Sequence, residues 1–241
     1  MRHLALLLLL AACAQTPETA PDAQTYLAPA SRLDPAHLLP PPPVASSLAA
    51  TADAHAFSAA PIAGPGWNGA MRLTGVRTPA FQQALSCAAG LVLSEQGTPA
   101  LRRLLARTSE EMRALTEPAQ AHFARPRPFA DPAQSCDPKA ASLGPSYPSG
   151  QAATAWLWAL ALADAVPGRR PQLLAFGQYA GDVRATCRAH WLSDIAAGRL
   201  LATALHTQLQ SLPGYQADVT AATREVRTAP PMDAAQCESE A

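Results

Sequence analysis

The 241-residue sequence predicts an all-α fold, a single-domain helical bundle. Beyond Gly75, apolar residues recur at three- and four-residue spacing almost throughout. Alternating polar and apolar runs flanked by hairpin turns, which would indicate strands, are missing. With 49% apolar and 15% charged residues, the chain is long enough to bury one sizeable core. Two domains are compatible with this length, but one is expected.

The charge balance limits the partners that the chain can attract. Eighteen basic residues offset eighteen acidic ones, so no overall field would draw in nucleic acid or an anionic membrane surface. No nucleic-acid partner, cofactor or metal site is predicted. Any anion-binding site must therefore be local.

The first segment is typical of a signal peptide, predicted over residues 1–12. A short basic start precedes an apolar run from Leu4 to Leu10, and small residues lead into Cys13. This ending resembles a bacterial lipobox, which implies cleavage before Cys13 and a lipid anchor on its thiol. Ala14 then favours the outer membrane. An ordinary secretory signal, with no role for Cys13, is the alternative, and both place the protein outside the cytoplasm, facing the periplasm.

Residues 13–45 are predicted to form the lipidated N-terminus and a Pro-rich linker, and residues 46–241 the helical domain. The linker ends in Pro40–Pro43, which favours extended polyproline geometry, so it acts as a spacer or as a strap over the surface. Between Ser46 and Gly75 the pattern is weak, and a Gly-Pro-Gly sequence at 64–66 ends any helix that the alanines begin.

Six helices are expected further along. Thr98 can cap a helix that starts at Pro99, and its apolar stripe consists of Leu101, Leu104, Leu105, Thr108, Met112 and Leu115. The other helices are expected near Pro79–Val92, Pro118–Ala124, Gln151–Ala165, Arg170–Cys187 and His190–Leu212. The stretch Ala152–Ala163 is apolar on nearly every face, but a bilayer needs about twenty residues. It is therefore predicted to be a buried central helix.

Four cysteines remain besides Cys13, and an oxidising compartment favours pairing them. Of the three connectivities, the expected one joins Cys136 to Cys187 and Cys87 to Cys237, because the second pair would tie the C-terminal tail to the body. The alternative is that some of these cysteines are small buried apolar residues.

Residues able to do chemistry lie on three segments, "ARPRPF", "PSGQ" and "DVRATCRAHWLSD". They are Arg125, Arg127, Ser149, Gly150, Arg184, His190 and Asp194. Taken singly, each has a simpler interpretation: a solvated arginine, a helix N-cap, or a histidine–aspartate pair on a helix surface. The case for function therefore depends on their order and spacing.

That order resembles the class A non-specific acid phosphatases, in the superfamily that includes type 2 phosphatidic acid phosphatases and vanadium haloperoxidases. The family pattern is Lys-x6-Arg-Pro, Pro-Ser-Gly-His, then Ser-Arg-x5-His-x3-Asp. This chain carries Arg127-Pro128, Pro148-Ser149-Gly150, and Arg184 followed by His190 and Asp194 at those spacings. "LDPAHLLPPPP", "RPRPFADPAQSC" and "AHWLSDIAAGRL" extend the resemblance over most of the mature chain. It implies the all-α acid phosphatase fold.

The resemblance also implies a reaction, hydrolysis of a small phosphate monoester to inorganic phosphate. Phosphoryl transfer spreads negative charge over three oxygens, so the site needs several donors and cations. His190 would attack the phosphorus and form a phosphohistidine, while Asp194 would accept a hydrogen bond from its other ring nitrogen. The groups that would bind the phosphate are the side chains of Arg127 and Arg184 and the backbone at Ser149 and Gly150.

Three positions depart from the family pattern. Gln120 replaces the lysine, Gln151 the acid histidine, and Val183 the serine. An amide cannot transfer a proton, so general acid catalysis worth about 10²–10⁴-fold should be missing. The lost lysine removes a charge-assisted contact of roughly 1.5–3 kcal/mol. Alkyl phosphates should therefore be poor substrates, whereas aryl phosphates can lose an unprotonated leaving group.

Two side chains could compensate. Arg188 stands where the family usually has glycine, and it could restore the lost charge or point to water. His122 could act as a substitute acid. The alternative function is a catalytically inactive phosphatase-fold lipoprotein that binds an anion or a partner, with a haloperoxidase-like use of vanadate a distant third. The sequence leaves the oligomeric state open, a homodimer included.

Overall fold

The computed structural model describes residues 25–238, and the signal segment and Cys13 lie outside them. The α-helices in this part of the chain are α1 (Pro35–Leu38), α2 (Leu48–Ala59), α3 (Pro65–Arg72), α4 (Pro79–Ala89), α5 (Pro99–Phe123), α6 (Gly150–Ala165), α7 (Arg170–Thr186), α8 (Leu192–Gln210), α9 (Pro213–Glu225) and α10 (Ala234–Glu238). Residues 25–238 contain no strand, only an isolated bridge between Leu91 and Pro231. The all-α prediction is confirmed. None of the helices described is long and apolar enough to span a bilayer.

Helix α6 is the centre of the bundle, as predicted. It packs against α5, α7, α8 and α9, and most of its residues are buried on every face. A helix that is apolar all round is stable only when neighbours cover each side. The start of α6, which carries the Pro-Ser-Gly sequence, is therefore held at a fixed place inside the molecule.

Two glycines let α7 and α8 approach α6 closely. A Cβ at Gly177 would lie 2.5 Å from the Cβ of Ala159, and a Cβ at Gly198 would lie 2.6 Å from the carbonyl oxygen of Ser149. Both distances are too short for real atoms, so only glycine permits these contacts. Gly198 thereby brings α8 against the turn that opens α6.

Helix α5 is a single 25-residue helix that includes Pro118, so the prediction of a separate helix from Pro118 is wrong. Proline removes one backbone hydrogen bond, but Leu115, Thr116 and Ala119 are buried around it and their packing keeps the helix continuous. The stripe predicted from Leu101 to Leu115 is buried throughout, as expected.

The N-terminus of α5 is capped from another helix. Thr98 is the N-cap residue, but its side chain does not cap the helix; its hydroxyl donates instead to the carbonyl of Ser94. The carboxylate of Glu225 on α9 accepts from the N–H groups of Ala100 and Leu101, each at 2.8 Å. The predicted Thr98 cap is therefore corrected to a tertiary cap by Glu225.

The weak pattern between Ser46 and Gly75 contains two helices, α2 and α3. Ser47 caps α2 through its hydroxyl, and Gly64 adopts a φ of +95° before Pro65 opens α3. The Gly-Pro-Gly sequence does end one helix, and it also begins the next. Helix α2 lacks an apolar stripe because its one buried residue is a charged one, Asp53.

The second half of the predicted linker packs on the helical body. Leu27 and Leu39 belong to the core. The backbone N–H groups of residues 26 and 27 donate to the buried carboxylate of Glu111. The hydroxyl of Tyr147 donates to the carbonyl of Pro40 at 2.7 Å. In the described part, the chain before α2 therefore runs as a strap against α5.

Both expected disulfides are present. Cys87 pairs with Cys237 and ties α10 to α4. Cys136 pairs with Cys187 and joins the loop after α5 to the C-terminal end of α7. The second bond matters for the site described next, because Arg184 lies on the last turn of α7.

Candidate active site

The three candidate segments meet where α6, α7 and α8 come together. His190 lies in the turn between α7 and α8 and is 5% exposed. Arg127 comes from the loop after α5, and its Nη1 lies 2.9 Å from Nε2 of His190. The N–H of Ser149 donates to the carbonyl of Asp194 at 2.9 Å. The fold thus brings residues from all three segments into one buried cluster.

The hydrogen-bond partners of His190 fix its tautomer. Nδ1 lies 2.9 Å from the carbonyl oxygen of Ser146, which can only accept a hydrogen bond. Nε2 faces the guanidinium of Arg127, which can only donate one. The ring therefore carries its proton on Nδ1 and its lone pair on Nε2, the form in which Nε2 can act as a nucleophile.

The same surroundings keep His190 neutral. Burial above all, with the charges of Arg127 and Arg184 and against the opposing effect of Asp194, lowers the pKa of His190 to about 4. A neutral imidazole is required for attack on phosphorus. The imidazole thus retains its nucleophilic form well into the acid range.

Asp194 contacts the histidine less directly than the sequence suggested. Its Oδ2 lies 3.4 Å from Nδ1 of His190 and accepts the N–H of Trp191 at 2.9 Å, whereas Ser146 provides the shorter contact to Nδ1. Asp194 is completely buried. It faces the ring at the distance of an ion pair and shares the orienting task with a backbone carbonyl.

Arg127 is held by backbone carbonyls as well as by the histidine. It donates to Gly144 and Ala189, each at 2.8 Å, and more weakly to Pro145. Burial, followed by the charge of Arg184, lowers the pKa of Arg127 to about 10, so the guanidinium is still cationic at neutral pH. Its position beside Nε2 is therefore fixed before any ligand arrives.

Arg184 is buried and paired with an acid that the sequence reasoning did not identify. Its Nη2 donates to Oδ2 of Asp137 at 2.6 Å, and both side chains are almost fully buried. Its Nε is buried without a hydrogen-bond partner among the described residues. Arg184 therefore keeps one N–H for a further acceptor while Asp137 holds the other end of the guanidinium.

The Pro-Ser-Gly turn differs in detail from the expectation. Ser149 is the N-cap of α6, its Oγ accepting from Ala152 at 3.3 Å, and its own N–H is used by Asp194. Only the N–H groups that follow, starting with Gly150, point out of the first turn of α6. The expectation that the Ser149 N–H faces the anion is corrected, while its hydroxyl proton is still available to donate.

The positions that depart from the family pattern have structural partners. Gln120 donates to the carbonyl of Pro148 at 2.9 Å, Gln151 donates to the carbonyl of Leu73, and Val183 is part of the core. Gln120, Gly150 and Gln151 line one open cleft of about 420 Å³. The lining given for this cleft also includes Arg113 and Glu117 but not His190, and neither Gln120 nor Gln151 can supply a proton.

Neither compensating side chain reaches the histidine. Arg188 has a φ of +59°, which explains why glycine suits this position. It is buried, donates to the carbonyls of Phe57 and Ala60 at 3.0 Å each and stacks on the ring of Phe57. It therefore neither restores the lost charge nor points to water. His122 is exposed on α5 with its ring against Phe123.

Three residues of the site were missed by sequence reasoning: Asp53, Asp137 and Ser146. Asp137 had a usable signal, because the expected Cys136–Cys187 disulfide places position 137 close to the end of α7. Ser146 acts through its backbone carbonyl, which no residue type announces. Asp53 lies in a helix with weak periodicity, and nothing in the sequence singles it out. No group of His, Cys, Asp and Glu within residues 25–238 is arranged to hold a metal ion.

Comparison with known proteins identifies the family. The sequence model of the PAP2 superfamily matches residues 112–216, which include the whole cluster around His190. The chain is 30% identical over 205 residues to the non-specific acid phosphatase of Providencia stuartii, covering 82% of each protein. It is 31% identical over 198 residues to an acid phosphatase of Zymomonas mobilis, covering 80% of this chain and 75% of the relative. The non-specific acid phosphatase of Salmonella typhimurium is 30% identical over 208 residues, 82% of each chain.

This combination of an all-α bundle, a matched superfamily model and relatives similar over most of their length defines a class. The chain belongs to the non-specific acid phosphatase family within the PAP2 superfamily.

Proposed function

We propose that this protein hydrolyses phosphate monoesters through a phosphohistidine on Nε2 of His190, with a preference for esters whose alcohol leaves easily. The observation that carries this proposal is the tautomer of His190. The Ser146 carbonyl accepts the hydrogen bond of the Nδ1–H group, and Arg127 faces the lone pair of Nε2. A protein that only binds anions has no need for a neutral, oriented imidazole.

The first step follows from these contacts. The lone pair of Nε2 forms a bond to phosphorus while the ester P–O bond breaks, and the leaving group departs with the electron pair as an alkoxide or phenolate, which then takes a proton from water. The imidazole then carries a positive charge, which the Asp194 carboxylate at 3.4 Å and the Ser146 carbonyl stabilise. Water next attacks the phosphorus and gives up a proton to the solvent, while the electron pair of the breaking P–N bond returns to Nε2; inorganic phosphate and the neutral histidine result.

The phosphate oxygens would be bound by groups already in place around His190. As the bond to phosphorus forms, the hydrogen bond from Arg127 to Nε2 is exchanged for one to a phosphate oxygen while its backbone contacts hold the guanidinium in place, and Arg184 donates its unpartnered Nε–H. The hydroxyl of Ser149 and the N–H of Gly150 complete the set at the start of α6. Because these donors are held in position beforehand, little reorganisation accompanies the transfer.

The leaving-group preference follows from Gln120 and Gln151. Both amides are hydrogen-bonded to backbone carbonyls and neither can donate a proton to an alkoxide. A phenolate leaves without protonation, whereas an alkoxide needs a general acid that is worth about 10²–10⁴-fold. The ratio of aryl to alkyl turnover should therefore exceed the family's usual value by a factor of that order.

The test is turnover of an aryl and an alkyl phosphate by the wild type and by His190→Gln between pH 4 and pH 8. Release of phosphate from the aryl ester by the wild type alone supports the proposal. If both proteins release phosphate equally, His190 is not the nucleophile. If neither is active while inorganic phosphate still stabilises the wild type in a thermal shift assay, the binding-only alternative holds.

We further propose that residues 1–12 are a signal peptide, that Cys13 carries a lipid, and that residues 46–241, with the strap from residue 25 packed against them, form the periplasm-facing domain of an outer-membrane lipoprotein. Two disulfides in the described chain support an oxidising compartment. A Cys13→Ser variant should leave the membrane fraction or accumulate unprocessed. An unchanged distribution between membrane and soluble fractions would remove the lipid anchor from the account.

A further inference from the structure

A chain of buried charges continues from Asp194 away from the histidine. Oδ1 of Asp194 accepts from Nη1 of Arg125 at 2.5 Å, and Nη2 of Arg125 donates to Oδ2 of Asp53 at 2.8 Å. The side chains are 0%, 12% and 3% exposed in that order. Nothing in the phosphate chemistry described above uses Arg125 or Asp53.

The outer end of the chain is fixed by the neighbouring helices. Asp53 belongs to α2 and is its one buried residue. Its Oδ1 accepts the backbone N–H of Ser193 at 2.9 Å, its Oδ2 accepts the Ser193 hydroxyl, and Arg125 donates to that hydroxyl at 2.7 Å. Because Ser193 precedes Asp194 in the first turn of α8, Asp53 holds both Arg125 and the backbone that carries Asp194.

We propose that Arg125, held by Asp53, is a positioning residue: it allows Asp194 to orient His190 without stabilising the protonated ring. This inference rests on the proposed function, since it concerns the nucleophile of that reaction. A buried carboxylate beside an imidazole stabilises the imidazolium ion, which cannot attack phosphorus. The guanidinium of Arg125, bound to Oδ1 of Asp194, offsets the negative charge of the carboxylate. Oδ2, the oxygen nearer the ring, still faces the Nδ1–H group of His190.

The other charges that face His190 come from the surrounding elements. Arg127 from the loop after α5 and Arg184 from α7 both disfavour the protonated ring, and burial acts in the same direction. Asp137 faces the ring only through Arg184, to which it is bound. Among the described charged groups near the ring, Asp194 alone favours protonation, so its charge is the one that must be balanced.

Substitutions at the two ends of this chain should move the titration of His190 in opposite directions. Arg125→Gln removes the cation next to Asp194, so the midpoint should rise by roughly one to two pH units at an effective dielectric of about 20. Asp53→Asn keeps one oxygen to accept the Ser193 N–H, replaces the other with an NH2 group that cannot accept from Arg125, and removes the more distant negative charge, so the midpoint should fall, by less than it rises in Arg125→Gln. A loss of structure alone would not produce shifts of opposite sign.

The midpoint is measured in two ways. The first is the acid limb of kcat/KM for an aryl phosphate. The second is NMR titration of the imidazole in ligand-free protein, with the His190 resonance identified by its loss in His190→Gln. Arg125→Lys is the rescue variant, because it keeps the charge but cannot bridge two carboxylates. Its midpoint should return towards the wild-type value while kcat is still reduced. Asp218→Asn, which removes a carboxylate from the Arg107 pair, is the matched control and should leave the midpoint unchanged.

Unchanged midpoints, or shifts of one sign in Arg125→Gln and Asp53→Asn, would overturn the inference. If Arg125→Gln does not fold, Asp53→Asn decides alone, and a rise or no change of its midpoint contradicts the proposal. Opposite shifts by NMR in a protein without turnover would support the role of Arg125 and refute the proposed function instead. The two claims therefore fail separately.

Discussion

The buried neutral state of His190 predicts a specific dependence of stability on pH. The pKa of His190 is lowered from 6.5 to about 4, chiefly by burial. Above pH 6.5 the folded and unfolded chains both carry a neutral imidazole. As pH falls from 6.5 to 4, the unfolded chain binds a proton that the folded chain excludes, so the free energy of unfolding decreases. Below pH 4 both states are protonated and this contribution levels off.

The size of the effect follows from the shift. A pKa difference from 6.5 to about 4 corresponds to about 3 kcal/mol. Urea unfolding of the wild type, with disulfides intact, should therefore lose about 3 kcal/mol more between pH 7.5 and pH 4 than His190→Gln loses. Glutamine can replace both hydrogen bonds of the imidazole but cannot titrate.

The control is His55→Gln, which removes an exposed histidine from α2 and should follow the wild-type curve. If the wild type and His190→Gln lose stability in parallel across this range, His190 is not held neutral by the fold, and the argument from its tautomer and burial is refuted.

Two other predictions concern the start of α6. Gln151→His should raise alkyl-phosphate turnover by more than aryl-phosphate turnover, because only the alkoxide needs a proton. Gln120→Lys should raise both, because it strengthens the phosphate contacts. Steady-state kinetics with paired substrates measures the alkyl-to-aryl ratio, and an unchanged ratio in Gln151→His would show that the missing acid does not limit the site. Gly198→Ala should destabilise the protein by about 1–3 kcal/mol and lower kcat, because the new Cβ would lie 2.6 Å from the Ser149 carbonyl. Gly168→Ala, with nothing within 4 Å of the new Cβ, is its control; equal unfolding free energies in the two glycine variants would contradict the close approach of α8.

Much of the fold could be predicted because its signals are local. The stripe on α5 and the apolar faces of α6 follow from helical periodicity, and both disulfides follow from the compartment and from the tail that one of them anchors. The error at Pro118 has a tertiary cause, because packing against α6 outweighs one lost backbone hydrogen bond. The cap on α5 was missed for the same reason: Glu225 is distant in sequence from Pro99.

The site was predictable in its motif residues and not in their supports. The spacing of His190 and Asp194 places both on one side of the α7–α8 turn, and the positions of Arg127 and Arg184 follow from the family pattern. The Ser146 carbonyl, the Asp137 carboxylate and the pair formed by Arg125 and Asp53 depend on the path of loops and on a helix without periodicity. Arg188 is a residue whose charge suggested a role in the site that its position does not support, because its side chain binds backbone carbonyls at the end of α2.

The central claim is that Nε2 of His190 becomes covalently phosphorylated. The direct measurement is alkaline quenching of the protein during turnover of an aryl phosphate, followed by mass spectrometry of the peptide that carries His190. We expect the added mass of one phosphoryl group on His190 in the wild type. The phosphorylated form should be more abundant in an Asp194→Asn variant only if that variant slows the attack by water more than it slows formation of the P–N bond. Turnover without any phosphorylated His190, or a phosphoryl group on a different residue, would contradict the account.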